Sequence, residues 1–277
     1  MLATSLSSHA SDPGRTPIEA NGWLPADYSA AHVTDRAGLR EAGELYTRVF
    51  GYDDPTLSLN AHLLKSLASN GGTSVGVFDG AGILVGYAYG FPGRDADAEY
   101  QFSQAAVVDA RVQGQGIGNA LKRLQARVAA EAGYTEMRWT FDPLLARNAH
   151  FNLDSLGATG IRFLPSYYGS AASDRLLVRW QLPAAERRER ASAVPPPELA
   201  AADWGTAMAI GDDVWIAVPA DPRRLRASDV DETELRASVA TSLQSAFADD
   251  RLLISCVRVD EDTAAYRAVR QRGRHHD

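Results

Sequence analysis

The run Val108-Asp109-Ala110-Arg111-Val112-Gln113-Gly114-Gln115-Gly116-Ile117-Gly118-Asn119-Ala120-Leu121 decides how this chain is read. β-formers end at Val108, three glycines follow at alternate positions, and Ile117, Leu121, Leu124 and Val128 then recur at helical spacing. A strand therefore feeds a glycine-rich turn that opens directly into an amphipathic helix. Glycines let the backbone approach a ligand closely and adopt positive φ. Successive N–H groups of the turn and the first helical turn converge on one point, at the positive end of the helix dipole. That is an anion site. Arg111 stands just before it, and Lys122 and Arg123 lie one turn in. Two phosphate motifs are excluded. A P-loop needs Gly-Lys followed by Ser or Thr, and here Asn119 follows Gly118. A dinucleotide fingerprint needs a third glycine where Asn119 stands, in a first strand-turn-helix unit rather than in mid-chain.

Upstream of this run, Leu39, Ala42, Leu45, Tyr46 and Val49 mark a helix that stops at Gly51. Leu59, Leu63, Leu64 and Leu67 mark a second, shorter one. Thr73–Phe78 and Ile83–Tyr89 flank Asp79-Gly80-Ala81-Gly82 and read as a hairpin, and Glu99–Val108 is a third strand. Downstream, the long helix ends near Gly133. Met137, Trp139 and Phe141 alternate with polar residues up to Asp142, as a strand requires, and Pro143 stops them. A short helix runs from Ala146 to Leu156, and Arg175–Leu182 is a later strand. A tight hairpin together with strand-helix-strand crossovers implies an α/β fold with a mixed sheet.

Residues 1–30 are small and polar and lack the basic start and apolar stretch of a signal peptide, so they read as a disordered tail. Glu186-Arg187-Arg188-Glu189-Arg190 leads into Pro195-Pro196-Pro197, a linker spanning 183–202. Over 203–270 the pattern resumes. Val214–Val218 is a strand, Asp231 and Glu234 cap a helix with Leu235, Val239 and Leu243 on its apolar face, and Leu252–Val259 with Ala264–Val269 form a closing hairpin. This extension is too thin to stand alone and is expected to pack on residues 31–182. Residues 271–277 read as a loose tail.

With 277 residues, 45% hydrophobic and 23% charged, the chain can bury a core of ordinary composition. Its 35 acids against 28 bases leave a net charge of −7, which argues against nucleic acid as a partner. A single cysteine, Cys256, excludes an internal disulfide and a Cys-rich zinc site. No His-carboxylate spacing suggests any other metal. No apolar run approaches the ~20 residues of a membrane span. The cytoplasm is the expected location, and nothing in the sequence sets an oligomeric state.

Gln113-Gly114-Gln115-Gly116-Ile117-Gly118 resembles the acyl-CoA-binding motif of the GNAT acyltransferase superfamily, Q/R-x-x-G-x-G/A. The order of elements before it, two helices, a hairpin, then a strand into a long helix, is also similar. The likeness covers about residues 31–182. Trp139-Thr140-Phe141-Asp142-Pro143-Leu144, Asn148-Ala149-His150-Phe151-Asn152, Leu156-Gly157-Ala158 and Tyr167-Tyr168-Gly169 resemble a poorly characterised branch with an extended C-terminal region. The resemblance implies a mostly antiparallel sheet flanked by helices, with the extension packed on it. It implies that the amides of Gln113, Gly114, Gln115, Gly116, Ile117 and Gly118, with Asn119 adjoining, hold the CoA pyrophosphate. It implies that Ala106, Val107 and Val108 pair with the pantetheine like an extra strand, and that Asn148 bonds it too. It further implies acetyl-CoA or another acyl-CoA as co-substrate, without a metal, but no specific substrate; the acceptor read here is the amine of a small molecule. One position departs from the pattern. Where many members carry a tyrosine acid, four residues before the glycine ending the short helix, this chain has Leu153.

Attack of an amine on a thioester needs a neutral nucleophile, alignment, and a donor for the oxyanion. Asp142, at its strand's end, is a base or ammonium anchor, or else simply caps the turn at Pro143. Asn148 and Asn152 lie i, i+4 on one helical face, where they read ligand or brace a loop. Tyr168 is the candidate acid in place of Leu153. Strand alternation would allow only one of Tyr167 and Tyr168 to face the site. Glu99, on its strand, is a further candidate base, and His150 reads as a packing or surface residue. The sequence thus points to an acyl-CoA-dependent acyltransferase, with two alternatives: a non-catalytic acyl-CoA-binding sensor or interaction module, and a protein N-acetyltransferase.

Overall fold

A computed structural model describes residues 15–96, 98–182 and 194–271. The chain is α/β, with a mostly antiparallel sheet flanked by helices. It divides into two compact units, at Thr135/Glu136.

The first unit holds β1 (Pro17–Ile18), β2 (Ser29–His32), α1 (Arg36–Phe50), α2 (Ala61–Ser69), β3 (Ser74–Phe78), β4 (Leu84–Arg94), β5 (Glu99–Val108) and α3 (Ile117–Glu131). Its strands form an antiparallel meander in chain order. Each boundary has a local cause. The Asp35 carboxylate accepts from the Gly38 N–H at 2.8 Å and starts α1, and Gly51 at φ 67° ends it. At the β3–β4 turn the Asp79 carboxylate accepts from the N–H groups of Ala81 and Ile83, both at 3.0 Å. Every residue of β3 is buried, because helices cover both faces of the sheet. Ile117, Ala120, Leu121 and Leu124 of α3 pack against Val75, Val77, Val85 and Ala88. On the other side Leu39, Ala42 and Leu45 of α1 and Leu64 of α2 pack with Phe78, Leu84, Tyr87 and Val107.

The reading of residues 1–30 as a disordered tail is corrected from Arg15 onward; residues 1–14 lie outside the described residues. β1 pairs with β2, and Ile18, Leu24 and Ala30 are buried in the α3-side core with Trp23 and Tyr28 beside them. These few apolar residues are too irregularly spaced to show a period. The sheet beneath them, not their own pattern, supplies their order.

The second unit holds β6 (Glu136–Phe141), α4 (Ala146–His150), β7 (Thr159–Leu164), β8 (Arg175–Gln181), β9 (Ala207–Ile210), β10 (Asp213–Pro219), α5 (Pro222–Arg226), α6 (Glu232–Ala248), β11 (Arg251–Arg258) and β12 (Thr263–Arg270). A π-helical turn, Phe151–Ser155, continues α4. The strand order is β6-β8-β7-β11-β12-β10-β9, with antiparallel pairs throughout. Strand β7 escapes the sequence pattern. It carries Gly160 and a register shift between Gly160 and Arg162, which break the alternation. As read, Asp231 caps α6, accepting from the N–H groups of Thr233 at 2.8 Å and Glu234 at 3.0 Å. The linker and loose-tail readings fall largely on 183–193 and 272–277, outside the described residues.

Strands from both sides of 183–193 share this unit. Leu253 of β11 pairs with Gly160 of β7, where any Cβ would lie 2.8 Å from the Leu253 side chain. The Tyr266 hydroxyl donates to the Pro143 carbonyl at 2.7 Å, and the Asp154 carboxylate accepts from Ser255 Oγ at 2.6 Å and the Cys256 N–H at 2.9 Å. Residues 200–277 expressed alone lose these partners and the β7 edge against which β11 pairs. Their circular-dichroism melt should show no cooperative transition. A sharp melt would establish an autonomous folding unit.

Candidate functional site

In the first unit the loop after β5 is held open by backbone conformation. Gly114 and Gly116 both sit at φ 83°, with nothing within 4 Å of where a Cβ would stand. Positive φ, not crowding, demands glycine at both. Gly116 is the N-cap of α3 and supplies no side chain to its first turn. Among the described residues, no group accepts a hydrogen bond from the backbone N–H of Gln113, Gly114, Gln115, Gly116, Ile117 or Gly118. The side chains that could fill the mouth are tied back. Gln113 Nε2 donates to the Val108 carbonyl at 3.1 Å, the Tyr28 hydroxyl donates to Gln115 Oε1 at 2.9 Å, and Asn119 Oδ1 accepts from Arg123 Nε at 2.7 Å. Ala106, Val107 and Val108 end β5 and pair with Ala88, Tyr87 and Gly86 of β4.

Charge around the loop is organised by Asp109. Its buried carboxylate accepts from Arg111 Nε at 3.0 Å and Nη2 at 2.9 Å, and from Arg48 Nη2 of α1 at 3.1 Å. The Arg111 hydrogen bonds above all hold it well below the usual carboxylate range. Arg48 also borders an open cleft of about 530 Å³ between α1 and α2, together with Arg40, Glu44, Thr47 and Ser58. Lys122, placed by the sequence one turn into the anion site, is instead buried. Its Nζ donates to Ser103 Oγ at 2.7 Å, Ser103 donates to Gln125 Oε1 at 2.8 Å, and Gln125 Nε2 donates to Thr73 Oγ1 at 3.0 Å. Burial pushes the Lys122 ammonium down to about 7.

In the second unit the structure places Asp142, Asn148, Asn152 and Tyr168 in three different environments. Asp142 is committed. Its oxygens accept from Arg236 Nη1 at 3.2 Å and Nη2 at 3.1 Å, and Oδ1 also accepts from the Leu144 N–H at 2.9 Å. It caps the turn and ties it to α6. Asn152 is 2% exposed, with Oδ1 accepting from Trp139 Nε1 at 3.0 Å and Nδ2 donating to Asn148 Oδ1 at 3.2 Å. Asn148 is half-buried. Leu153 is buried and offers no proton.

Tyr167 and Tyr168 lie on a turn after β7, not on a strand, so alternation does not apply to them. Their rings meet edge-on at 4.8 Å, and the Arg175 guanidinium lies 5.1 Å over the exposed Tyr168 ring. His150 Nδ1 faces two acceptors, the Cys256 carbonyl at 2.9 Å and Asp154 at 3.2 Å, so it donates. The Asp154 hydrogen bond raises its pKa.

Sequence reasoning missed Trp139, Arg236 and the Lys122–Ser103–Gln125 chain. Only Trp139 left a signal, an indole four places from a turn on an alternating strand. Arg236 lies 94 residues from Asp142, and no local pattern records such a pair. Among the described residues, no helix is long and apolar enough to cross a membrane, and no group of three or more His, Cys, Asp or Glu could hold a metal ion.

No family model and no curated protein matches this chain. Solved structures similar over part of its length include a Salmonella typhimurium protein with its cofactor acetyl-CoA. That match has 18% identity over 56% of this chain and 94% of that one, at a TM-score of 0.47. Another is the ribosomal-protein-S18-alanine N-acetyltransferase of Escherichia coli, with 15% identity, 56% and 93% coverage, and a TM-score of 0.45. A third is a GNAT-superfamily phosphinothricin acetyltransferase of Sinorhizobium meliloti in complex with acetyl-CoA, with 17% identity, 56% and 88% coverage, and a TM-score of 0.45.

Lys122 yields a prediction. From about 7 to the ordinary 10.5, the unfolded chain binds a proton at this site that the folded chain does not. Stability should therefore rise with pH across that window. Lys122→Met should flatten the rise and stabilise the protein at the lower end, as measured by urea melts over the range. Parallel wild-type and variant profiles would show that Lys122 stays charged when folded.

Proposed function

We propose that this chain is an acyl-CoA-dependent acyltransferase that moves an acyl group, acetyl first among them, from CoA to the amine of a small molecule. One observation carries the reading: six consecutive N–H groups without an acceptor among the described residues, at the N-terminus of a long helix. Such a run fits a diphosphate, whose oxygens accept several bonds at once. Gln113 to Gly118 would hold it, with Asn119 adjoining. Ala106, Val107 and Val108 would take the pantetheine along the end of β5.

The acceptor would lie in the cleft between α1 and α2, whose volume suits a small molecule. There Glu44 offers a carboxylate to an ammonium group. After deprotonation the amine nitrogen attacks the thioester carbonyl carbon, the C–S bond breaks, and the sulfur leaves with the electron pair as thiolate. At a pKa of ~8.5 that is a tolerable leaving group. Alignment supplies most of the rate. Asp142, locked by Arg236, is assigned to the turn rather than to proton transfer, and Asn152 to support of Asn148. Tyr168, with an exposed phenol, is the proposed thiolate acid. A binding module without turnover is the second reading, and the commitment of Asp142 and the apolar Leu153 favour it. Thiol release from acetyl-CoA across a panel of amines separates the two.

Gly116→Glu should reduce CoA binding below detection by calorimetry, because it puts bulk and negative charge where the diphosphate belongs. Gly116→Ala carries the same backbone strain, about 1–2 kcal/mol, and should still bind. Equal loss in both would assign the effect to strain.

Tyr168→Phe should lower kcat by ~10²-fold while the CoA dissociation constant stays the same, and Tyr167→Phe should change neither. If both variants turn over like wild type, the reaction runs on alignment alone.

A further inference from the structure

We infer that the cleft between α1 and α2 selects an amine that also carries a carboxylate, as an amino acid does, with Arg48 taking the carboxylate and Glu44 the ammonium group. The inference rests on the acyltransferase reading above and names the class of acceptor. Every residue it uses belongs to the first unit. Arg40, Glu44 and Arg48 recur every fourth residue along α1 and border the cleft, beside Thr47 and Ser58. Opposite charges at this spacing ordinarily close on each other. They do so in Arg127–Glu131 at 3.6 Å and Glu232–Arg236 at 2.9 Å. On α1 they do not. Among the described residues, Glu44 has neither a hydrogen bond nor an ion pair.

The reason is Asp109. Its buried carboxylate draws Arg48 away from Glu44, accepting from Nη2 at 3.1 Å. The same carboxylate already accepts three bonds from Arg111: the backbone N–H and Nε, both at 3.0 Å, and Nη2 at 2.9 Å. Two guanidinium groups thus share one negative charge, and the cluster keeps one positive charge. The other N–H groups of Arg48 have no acceptor among the described residues. An ordinary surface arginine gives up rotamer freedom when it meets an anion, which is why exposed ion pairs contribute little. Arg48 has given that freedom up before any ligand arrives, and preorganisation of this kind favours binding. Arg40 is exposed and has no such anchor. The cleft therefore offers one held cation and one uncompensated carboxylate, four residues apart and about 5–6 Å between Cβ atoms. A zwitterion with one charge of each sign matches both. A simple amine leaves Arg48 unused, and a phosphate monoester brings nearly two negative charges to meet one positive. The planar fork of a guanidinium also suits a carboxylate.

Thiol release from acetyl-CoA with matched pairs tests this, each pair being an amino acid and the amine left when its carboxylate is removed: tyrosine and tyramine, histidine and histamine, tryptophan and tryptamine. In the pairs that react, kcat/KM should favour the amino acid by about tenfold or more, the size of one hydrogen bond to a charged group. Arg48→Gln should bring that ratio close to one, and Arg40→Gln should retain it. Amine basicity differs within a pair, and measuring variant and wild type on the same pair removes that difference. Asp109 keeps its three bonds from Arg111 in the Arg48 variant. If that variant nevertheless fails to fold, wild-type calorimetry decides. At about pH 6.5 both members of a pair are ammonium ions, and the amino acid should bind about tenfold tighter. Equal turnover or equal binding within the pairs overturns this inference and leaves the acyltransferase reading standing. So does a ratio that survives Arg48→Gln or is lost in Arg40→Gln. No thiol release with any member of the panel overturns the acyltransferase reading, and this inference with it.

Discussion

A run of backbone N–H groups without acceptors is costly to bury and useful to expose, and among the described residues one such run is Gln113 to Gly118. The first unit is arranged around holding it. Gly114 and Gly116 both take positive φ, which sets the course of the loop. The α3 helix behind them cannot shift, because Ile117 and Leu121 are inserted between strand residues of a sheet covered on both faces. The polar side chains of the loop bond backward, to Val108 and Tyr28, and so leave the amides clear. A packed helix, a strand end and two glycines present these donors without a cationic side chain bonded to the loop's amides.

The cations nearby have other duties. Arg111 and Arg48 are held by the Asp109 carboxylate, and Lys122 is drawn into the core, where burial lowers its pKa to about 7. Positive charge at the loop therefore comes first from oriented peptide dipoles, which need no reorganisation when an anion binds.

The second unit shows the opposite economy. Its chemically capable side chains are mostly engaged with one another: Asp142 with Arg236, Asp154 with His150, Ser255 and Cys256, and Asn152 with Trp139 and Asn148. A carboxylate with both oxygens in hydrogen bonds is a brace before it is a base. Of the residues singled out from the sequence in this unit, Asn148 is half-buried and Tyr168 exposed. The turn that carries Asn148 owes its position to residues about 100 places later, since the Asp154 carboxylate meets Ser255 and Cys256 of β11.

Much of this was legible in the chain itself. Helices with a clear apolar stripe, the hairpin at Asp79-Gly80-Ala81-Gly82, the strand ending at Val108 and the glycine loop all depend on neighbours within a turn or two. Backbone geometry and local burial write such features directly into residue order. Strand β7 and the order of residues 15–30 were not legible, because a broken alternation or three scattered apolar residues acquire structure only from the sheet they meet. Nor were the fates of Asp142, Asn152 and Lys122. Each could equally serve a ligand or brace the fold, and the difference lies in partners on other elements: Arg236 for Asp142, Trp139 for Asn152 and Ser103 for Lys122. Sequence alone determined the glycine turn that opens into α3, since that needs only glycines and the start of a helix. Tertiary structure alone decided which polar side chains are left to act, because a hydrogen bond between residues 94 or more positions apart has no local signature.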